Sequence, residues 1–194
     1  MQLVGEITAE RPLLVLAVKE EAQYLAGDLP VLLTGMGKVN AATALATALA
    51  RGPLPSGIVN LGTAGALRPG WTGTHVIGSV IQHDLASDVL RTLTGETYGP
   101  PLTLPDAGGP TLATGDSFIA DEASRERLAA EAPLVDMEGY ALAWAAAQAG
   151  VPLRIVKHVS DDAGEGAAKS WRESVDDCAR VLADWAARNV TTGF

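Results

Sequence analysis

The stretch "PLVDMEGYALAWAAAQAGVPLRIVKHVSDD", residues 133–162, contains a short apolar run, a long alanine-rich segment and a second apolar run. The apolar runs have the length of strands, and the alanine-rich segment has the length of a helix that stops at Gly150 and Pro152. A strand, a helix and another strand in this order are typical of a βαβ unit. The stretch therefore predicts an α/β fold.

The same alternation runs through the rest of the chain. Strands are predicted at 13–18, 31–35, 57–63, 74–82, 111–115, 133–137 and 153–160. Helices are predicted at 38–50, about 119–131, 138–149 and 170–188. Residues 92–110 are rich in Gly, Pro and Thr, which favours a surface excursion. We expect one domain spanning 1–194, because 194 residues with 47% hydrophobic content are enough for one substantial core.

The composition limits the classes of partner. The chain carries a formal net charge of −9 and no block of consecutive Lys or Arg, so it lacks the electrostatic footprint of a protein that binds nucleic acid or an anionic membrane. The N-terminal stretch fits neither a signal peptide nor a spanning helix, so we expect a cytoplasmic protein. The single cysteine, Cys178, lies in a predicted amphipathic helix and is expected to be a buried thiol.

Neither a cofactor nor a metal is predicted. The segment "GMGKVNAA", residues 35–42, has two glycines between a strand and a helix, as a dinucleotide-binding turn does. However, Asn40 stands where a third small residue is expected, and no acid ends the next strand to bind a ribose. Lys38 is followed by Val39, so the segment is no phosphate-binding loop either. The glycines therefore predict a tight turn, and His158, without ligands at metal-binding spacing, is interpreted as structural.

Three groups of residues follow predicted strands, at the sheet edge where α/β proteins bind ligands. In "NLGTAGALRPG", residues 60–70, the small residues Thr63, Ala64 and Gly65 fit a binding loop and an ordinary turn equally well. Asp136 fits either a partner for a basic group or a surface acid. Glu138 would stand in the first turn of a helix, where the macrodipole favours its ionised form.

The residues alone leave the roles of these acids open. Glu138 fits a helix-start acid better than a binding group, because such acids are common at helix starts. Asp161 and Asp162 fit either a loop cap or, for one of them, a general acid. The helix at 138–149 carries almost no charge, so it needs cover from a second subunit or from the sheet and neighbouring helices. This favours a homodimer.

Six segments in this order resemble the nucleoside phosphorylase and nucleosidase superfamily, and in detail the 5′-methylthioadenosine/S-adenosylhomocysteine nucleosidases. They are "LAVKEEAQYL", "GMGKVNAATALA", "VNLGTAGAL", "TGDSFI", "VDMEGYALA" and "GVPLRIVKHVSDDA". The resemblance implies a three-layer αβα fold with a mixed, partly barrel-like sheet, usually dimeric. It also implies a purine nucleoside as the small-molecule ligand.

The resemblance assigns the acids that follow the strands. Met137 and Glu138 match positions that hold the ribose, with Glu138 on its hydroxyls. Asp161, directly after Ser160, matches the residue that delivers a proton to purine N7. Cleavage of the C1′–N9 bond needs these two functions, because the leaving purine must be neutralised and the cationic sugar stabilised by negative charge.

The resemblance also assigns residues to the base and to water. Phe118 and Ile119 in "TGDSFI" match positions that stack on the base and present backbone polar groups to it. Glu21 matches the carboxylate that activates water, and a shift of one residue in register would give this role to Glu20. His83 and Asp84 resemble an interface loop of the family, although a solvated loop fits them equally well.

Hydrolysis is expected rather than phosphorolysis. The related phosphorylases carry an arginine at the position of Asn60, and "VKEEA" replaces their phosphate loop, so a phosphate would meet Glu20 and Glu21. A phosphorylase and an inactive nucleoside-binding protein remain alternatives, because the lid segment "DAGEGAAKSW" and residues 92–110 depart from the family pattern. The candidate substrates, in order, are methylthioadenosine, adenosylhomocysteine, 5′-deoxyadenosine and futalosine.

Overall fold

The computed structural model describes residues 1–190, and within them it has ten strands and six helices. The strands are β1 (Gln2–Val4), β2 (Leu13–Leu16), β3 (Val31–Leu33), β4 (Ile58–Ala66), β5 (Thr74–Val76), β6 (Ser79–Gln82), β7 (Leu102–Thr103), β8 (Thr111–Thr114), β9 (Leu134–Asp136) and β10 (Leu153–Asp161). The helices are α1 (Lys19–Ala22), α2 (Lys38–Ala50), α3 (Ser87–Thr94), α4 (Glu122–Ala129), α5 (Gly139–Ala149) and α6 (Ala167–Asn189).

The predicted elements are present, with several changes at their ends. The helix predicted at 38–50 is α2 without any shift, whereas the helix predicted at about 119–131 begins only at Glu122. The side chain of Asp121 caps α4 by accepting a hydrogen bond from the backbone N–H of Ser124 at 2.9 Å. The strand predicted at 74–82 is interrupted and forms β5 and β6.

Four short elements were not predicted, namely β1, α1, α3 and β7. Two of them reach into residues 92–110, which hold the end of α3 and the strand β7, and most of these residues are exposed, as expected for a surface excursion. Strand β7 pairs with β6 through Leu102 and Thr103. A strand of two residues is too short to show the alternation on which a strand prediction depends.

The sheet is mixed and curls around β4. Strand β4 pairs in parallel with β2 and β10 and antiparallel with β9, while β9 and β8 as well as β8 and β6 are parallel. On the other side β10 pairs antiparallel with β5. Because β5 leads directly into β6, the path from β4 through β10, β5, β6, β8 and β9 returns to β4. This closure confirms the partly barrel-like sheet.

Helices cover the sheet on both faces and give the predicted three-layer αβα arrangement. Helices α2 and α5 pack on each other over one apolar cluster, and α6 packs on β10, β4 and α1 over a second. The uncharged helix α5 is covered by α2 and by strands, so the sheet and a neighbouring helix bury most of it within one chain, and the exposed residues are Trp144, Ala147 and Gln148. Cys178 in α6 is the predicted buried thiol.

None of the helices in residues 1–190 is both long and apolar enough to cross a bilayer.

Candidate active site

A cavity of about 290 Å³ opens where β4, β9 and β10 end. All ten residues that the sequence analysis assigned to a site line this cavity: Glu21, Thr63, Ala64, Gly65, Phe118, Ile119, Met137, Glu138, Ser160 and Asp161. They come from five separate parts of the chain. The position agrees with the rule that open α/β sheets bind ligands beyond the carboxyl ends of their strands.

Thr63, Ala64 and Gly65 lie in the last part of β4 and not in a loop, because the strand continues to Ala66. The loop interpretation was therefore wrong, although the segment does line the cavity. The reason for a glycine at position 65 is crowding: a Cβ there would lie 3.1 Å from Asp161 Oδ1 and 3.2 Å from Val135 Cγ1. Gly65 thus lets the carboxylate of Asp161 approach the backbone of β4.

Glu138 is the N-cap residue of α5, and its side chain caps no N–H of that helix. Its Oε1 instead accepts a hydrogen bond of 2.8 Å from the backbone N–H of Gly37. Burial, and then the negative charge of Asp136, raise the pKa of Glu138 to about 7. The helix-dipole argument for a persistently ionised Glu138 was therefore wrong, because the loss of hydration outweighs the attraction of a helix start.

The turn "GMGKVN" holds Gly37 in the orientation that Glu138 requires. Gly37 has φ +91° and Gly35 has φ +88°, which is a region that other residues rarely adopt. This is the tight turn that the glycines predicted. The backbone N–H of Lys38 also donates to Asp116 Oδ1 at 2.7 Å, so the turn is tied to the segment that carries Phe118.

Asp136 is a buried acid with a buried basic partner. Its Oδ2 lies 3.0 Å from Lys157 Nζ, and the two side chains are 1% and 2% exposed. Its two oxygens also accept hydrogen bonds from the Thr114 hydroxyl at 2.6 Å and from the backbone N–H of Gly139 at 2.8 Å. The prediction of a basic partner is confirmed, and the alternative of a surface acid was wrong.

Asp161 reaches the cavity through an irregularity in β10. The register with β4 shifts between Val159 and Asp161, which is the kind of bulge that redirects side chains near active sites. Asp161 accepts hydrogen bonds from the Ser160 hydroxyl at 2.8 Å and from the backbone N–H of Ala163 at 2.9 Å. Burial still raises its pKa, which favours the protonated acid that a proton donor needs.

Asp162 points to a different role from that of its neighbour. It is exposed, lies outside the cavity lining and accepts a hydrogen bond of 3.2 Å from the backbone N–H of Gly164. This contact is a local turn of the kind that Asp side chains commonly make. The two open interpretations of the acidic pair therefore divide between its members, with Asp162 as the loop cap.

Glu21 lies in the cavity and Glu20 does not. The carboxylate of Glu21 is buried and accepts hydrogen bonds from the backbone N–H and the hydroxyl of Thr63, at 2.9 and 3.0 Å. A third donor, the backbone N–H of Ala17, lies 3.3 Å from its other oxygen. This geometry selects Glu21 over Glu20 as the acid that faces the cavity.

Helix α6 provides a part of the cavity to which no site residue was assigned, although the lid segment at 162–171 ends at Trp171. Trp171 and Arg172 both line the cavity, and Trp171 Nε1 donates a hydrogen bond of 3.0 Å to Thr63 Oγ1. The helix was predicted at 170–188, so its existence was known, but its position over the cavity depends on tertiary packing. Among the lining residues Arg172 is the one cation, beside the acids Glu21, Asp136, Glu138 and Asp161.

His158 holds a structural position. His158 Nδ1 lies 2.8 Å from the hydroxyl of Thr74, and burial lowers its pKa, as expected for a structural histidine. Asp84 accepts hydrogen bonds from Lys38 Nζ and from the backbone N–H of Asp116, so the loop with His83 is tied within the chain. Among the residues described, no three His, Cys, Asp or Glu side chains form a cluster suited to a metal ion.

Comparisons with known proteins agree with this arrangement. The sequence profile of the phosphorylase superfamily matches residues 18–108 and 109–192. The 5′-methylthioadenosine/S-adenosylhomocysteine nucleosidase of Geobacillus sp. (strain WCH70) is 31% identical, with 81% of this chain and 78% of the relative covered. The enzyme of the same name from Marinomonas sp. (strain MWYL1) is 30% identical, with 75% and 73% covered.

Solved structures show the same fold at low sequence identity. A Helicobacter pylori nucleosidase mutant with 5′-methylthioadenosine in its active site has a TM-score of 0.80 at 18% identity, with 91% of this chain and 96% of that chain covered. A futalosine hydrolase mutant of Helicobacter pylori strain 26695 has a TM-score of 0.78 at 19% identity, with 91% and 97% covered. The profile match and the 31% identity over most of both chains establish that this chain belongs to the phosphorylase superfamily, with the 5′-methylthioadenosine/S-adenosylhomocysteine nucleosidases as its relatives.

Proposed function

We propose that the chain is a purine nucleosidase that hydrolyses the N-glycosidic bond of 5′-methylthioadenosine, S-adenosylhomocysteine or a related 5′-modified nucleoside. The observation that carries this proposal is that Asp161 and Glu138, two acids with raised pKa values, line one cavity of nucleoside size. Perturbed acids in one cleft are typical of acid–base catalysis. The relatives named above are nucleosidases of this class.

Asp161 acts as the general acid. Its raised pKa keeps a proton available, and delivery of that proton to purine N7 turns a poor anionic leaving group into a neutral base. The hydroxyl of Ser160 and the backbone N–H of Ala163 hold the carboxyl group in place and stabilise the carboxylate that remains after the transfer. The bulge before Asp161 aims the group into the cavity.

Glu138 and Met137 hold the sugar. An ionised Glu138 accepts hydrogen bonds from ribose hydroxyls and offsets the positive charge that develops on the ring as the bond breaks. Its pKa of about 7 means that binding of the cationic transition state draws the group into its charged form. Phe118 and Ile119 cover the base, with Phe118 47% exposed at the cavity in the free protein.

Glu21 activates the water that attacks the sugar. Its three donors, the Thr63 N–H, the Thr63 hydroxyl and the Ala17 N–H, orient the carboxylate and leave lone pairs for a water proton. Phosphate is disfavoured as the nucleophile, because four acids and one arginine line the cavity. Asn60, at the position where the phosphorylases carry arginine, is buried and donates to the carbonyl oxygen of Val15 at 3.0 Å.

Three further expectations accompany this function. We propose a homodimer, supported by the exposed apolar side chains of Met36 and Phe118, which line the cavity, and of Val39 at the start of α2, which a partner subunit would cover. Size-exclusion chromatography with light scattering tests it. The cytoplasmic location and a role in methionine salvage stay predictions.

The decisive experiment incubates the protein with methylthioadenosine in phosphate-free buffer and follows free adenine. The wild type is expected to release adenine, Asp161→Asn to lower kcat by about 10²–10⁴-fold, and the adjacent control Asp162→Asn to stay within a few-fold of wild type. Release that requires phosphate would identify a phosphorylase. A thermal shift with adenine but no product would identify a binding protein. A panel with adenosylhomocysteine, 5′-deoxyadenosine and futalosine then ranks the substrates.

A further inference from the structure

A lysine buried beneath the cavity has no assigned role. Lys157, in the middle of β10, is among the largest fully buried side chains of the described chain. Its Nζ lies 3.0 Å from Asp136 Oδ2. A buried ammonium is costly unless it is paired, so a lysine is retained at such a position only with strong compensation. Lys157 does not line the cavity, whereas its partner Asp136 does.

A second acid lies close to the same ammonium. A Cβ added to Gly62 would lie 3.0 Å from Lys157 Nζ and 3.4 Å from Glu21 Oε1, so the glycine separates the two charged groups. These atoms are therefore at most roughly 6.4 Å apart, near the range in which opposite charges favour each other's ionised form. The missing side chain at position 62 leaves the space in which they approach.

The charges beneath the cavity are unequal. Among residues 1–190, the buried Asp, Glu, Lys and Arg side chains are three acids, Glu21, Asp136 and Glu138, and a single base, Lys157. Burial alone would lower the pKa of Lys157, but Asp136, Glu138 and Glu21 outweigh it, and the pKa is raised. The ammonium thus stays charged beside an excess of buried carboxyl groups.

The remaining neighbours contribute little charge. Strand β4 carries no ionisable side chain, and β5 presents His75, which contacts Trp71 and the carbonyl oxygen of Thr72. Helix α6 contributes Cys178, whose pKa is raised mainly by burial and in part by Glu21. Asp161, on β10 itself, has a raised pKa in which burial and Asp162 are the raising causes.

We propose that Lys157 is a positioning residue, the buried counter-charge that favours the ionised form of Glu138 and faces Glu21 across Gly62 without touching the substrate. The inference rests on the proposed nucleosidase function. It assigns Asp136 a matching role, because Asp136 anchors the ammonium through its carboxylate and the start of α5 through the N–H of Gly139. Together the pair sets the electrostatic potential on the sugar side of the cavity.

The experiment measures kcat/KM for methylthioadenosine from pH 4.5 to 9 in four variants. Lys157→Met removes the positive charge, so the acidic limb of the profile is expected to move up by at least one pH unit, because Glu138 then ionises less readily. Asp136→Asn removes a negative charge and is expected to move the limb down. The double variant Lys157→Met/Asp136→Asn removes both charges, so its acidic limb is expected to lie close to that of the wild type. Lys157→Arg keeps the positive charge and is expected to keep the wild-type limb.

If Lys157 has only a structural role, the variants lose activity at every pH and the acidic limb of the kcat/KM profile stays at the wild-type pH. That result in Asp136→Asn and in the double variant would overturn the proposal, even if Lys157→Met fails to fold. If the wild type releases no adenine, the nucleosidase proposal itself fails. In that case the pH dependence of adenine affinity in the same variants tests Lys157 independently, with the same opposite shifts expected.

Discussion

Replacement of Glu138 by glutamine is expected to make the free protein more stable at alkaline pH while it removes activity. Glutamine has the shape of a protonated glutamate and can still accept the hydrogen bond from the N–H of Gly37, which is 2.8 Å long in the wild type. It lacks the buried negative charge. The variant would thus lose both the destabilising buried charge and the activity that depends on this charge, which is a common trade-off between stability and function.

The magnitude follows from the raised pKa. The pKa of Glu138 is about 7 in the folded protein and ordinarily 4.5, so the folded state binds the proton more tightly than the unfolded chain does. Stability therefore falls as the pH rises from about 4.5 to about 7, and it stays reduced above that range. At 1.36 kcal/mol for each factor of ten, the full loss is about 3 kcal/mol. Glutamine at this position does not ionise, so the variant does not show this loss of stability.

Chemical denaturation of the wild type and of Glu138→Gln at pH 5 and pH 8.5 measures this difference. We expect similar unfolding free energies at pH 5, and at pH 8.5 a variant that is more stable by about 3 kcal/mol, or about 6–12 °C in Tm for a chain of this size. Glu20→Gln, in helix α1 and outside the cavity, is the control and is expected to leave the unfolding free energy close to that of the wild type at both pH values.

Two outcomes would contradict the reasoning. A stability difference of the same size at both pH values would mean that packing, and not ionisation, causes it. A variant less stable than wild type at pH 8.5 would mean that the ionised Glu138 is stabilised by its surroundings, so that burial does not dominate its pKa. Adenine release by Glu138→Gln at the wild-type rate would remove the residue from the sugar site.

Three further predictions concern Glu21 and the residues around it, Gly62 and Trp171. Glu21→Gln is expected to lower kcat by about 10²–10⁴-fold and to spare the affinity for a nucleoside analogue, measured by calorimetry; unchanged turnover would exclude Glu21 as the activating base. Gly62→Ala places a Cβ 3.0 Å from Lys157 Nζ and is expected to lower kcat/KM at least tenfold, whereas Gly52→Ala, with open space around it, leaves the rate unchanged. Equal rates for both would show that Lys157 has room to move. Trp171→Phe removes the donor to Thr63 Oγ1 and is expected to destabilise the protein by about 1 kcal/mol in urea denaturation, and an unchanged midpoint would mean that this hydrogen bond contributes nothing.

Much of the fold follows from local signals in the chain. Helix α2 was predicted at its observed ends because a glycine turn precedes it and alanine and leucine fill most of it. The α/β class followed from the alternation in residues 133–162, which also contain Asp136, Glu138, Lys157 and Asp161. The resemblance of these segments to a known superfamily brought together the residues that line the cavity.

The chemical state of those residues was beyond local patterns. The pKa of Glu138 depends on burial and on Asp136, and its hydrogen bond comes from Gly37, 101 positions earlier in the chain. Lys157 looked like one residue in an apolar strand until the fold placed it beside Asp136 and Glu21. Periodicity and turn residues act over a few neighbours, so the chain alone determines which helices and strands form and which acids follow them. The acids lose their hydration, and charged groups from distant parts of the chain come close to them, only when the chain packs into its tertiary structure. These two effects set the pKa of Glu138 and place Lys157 beside Asp136.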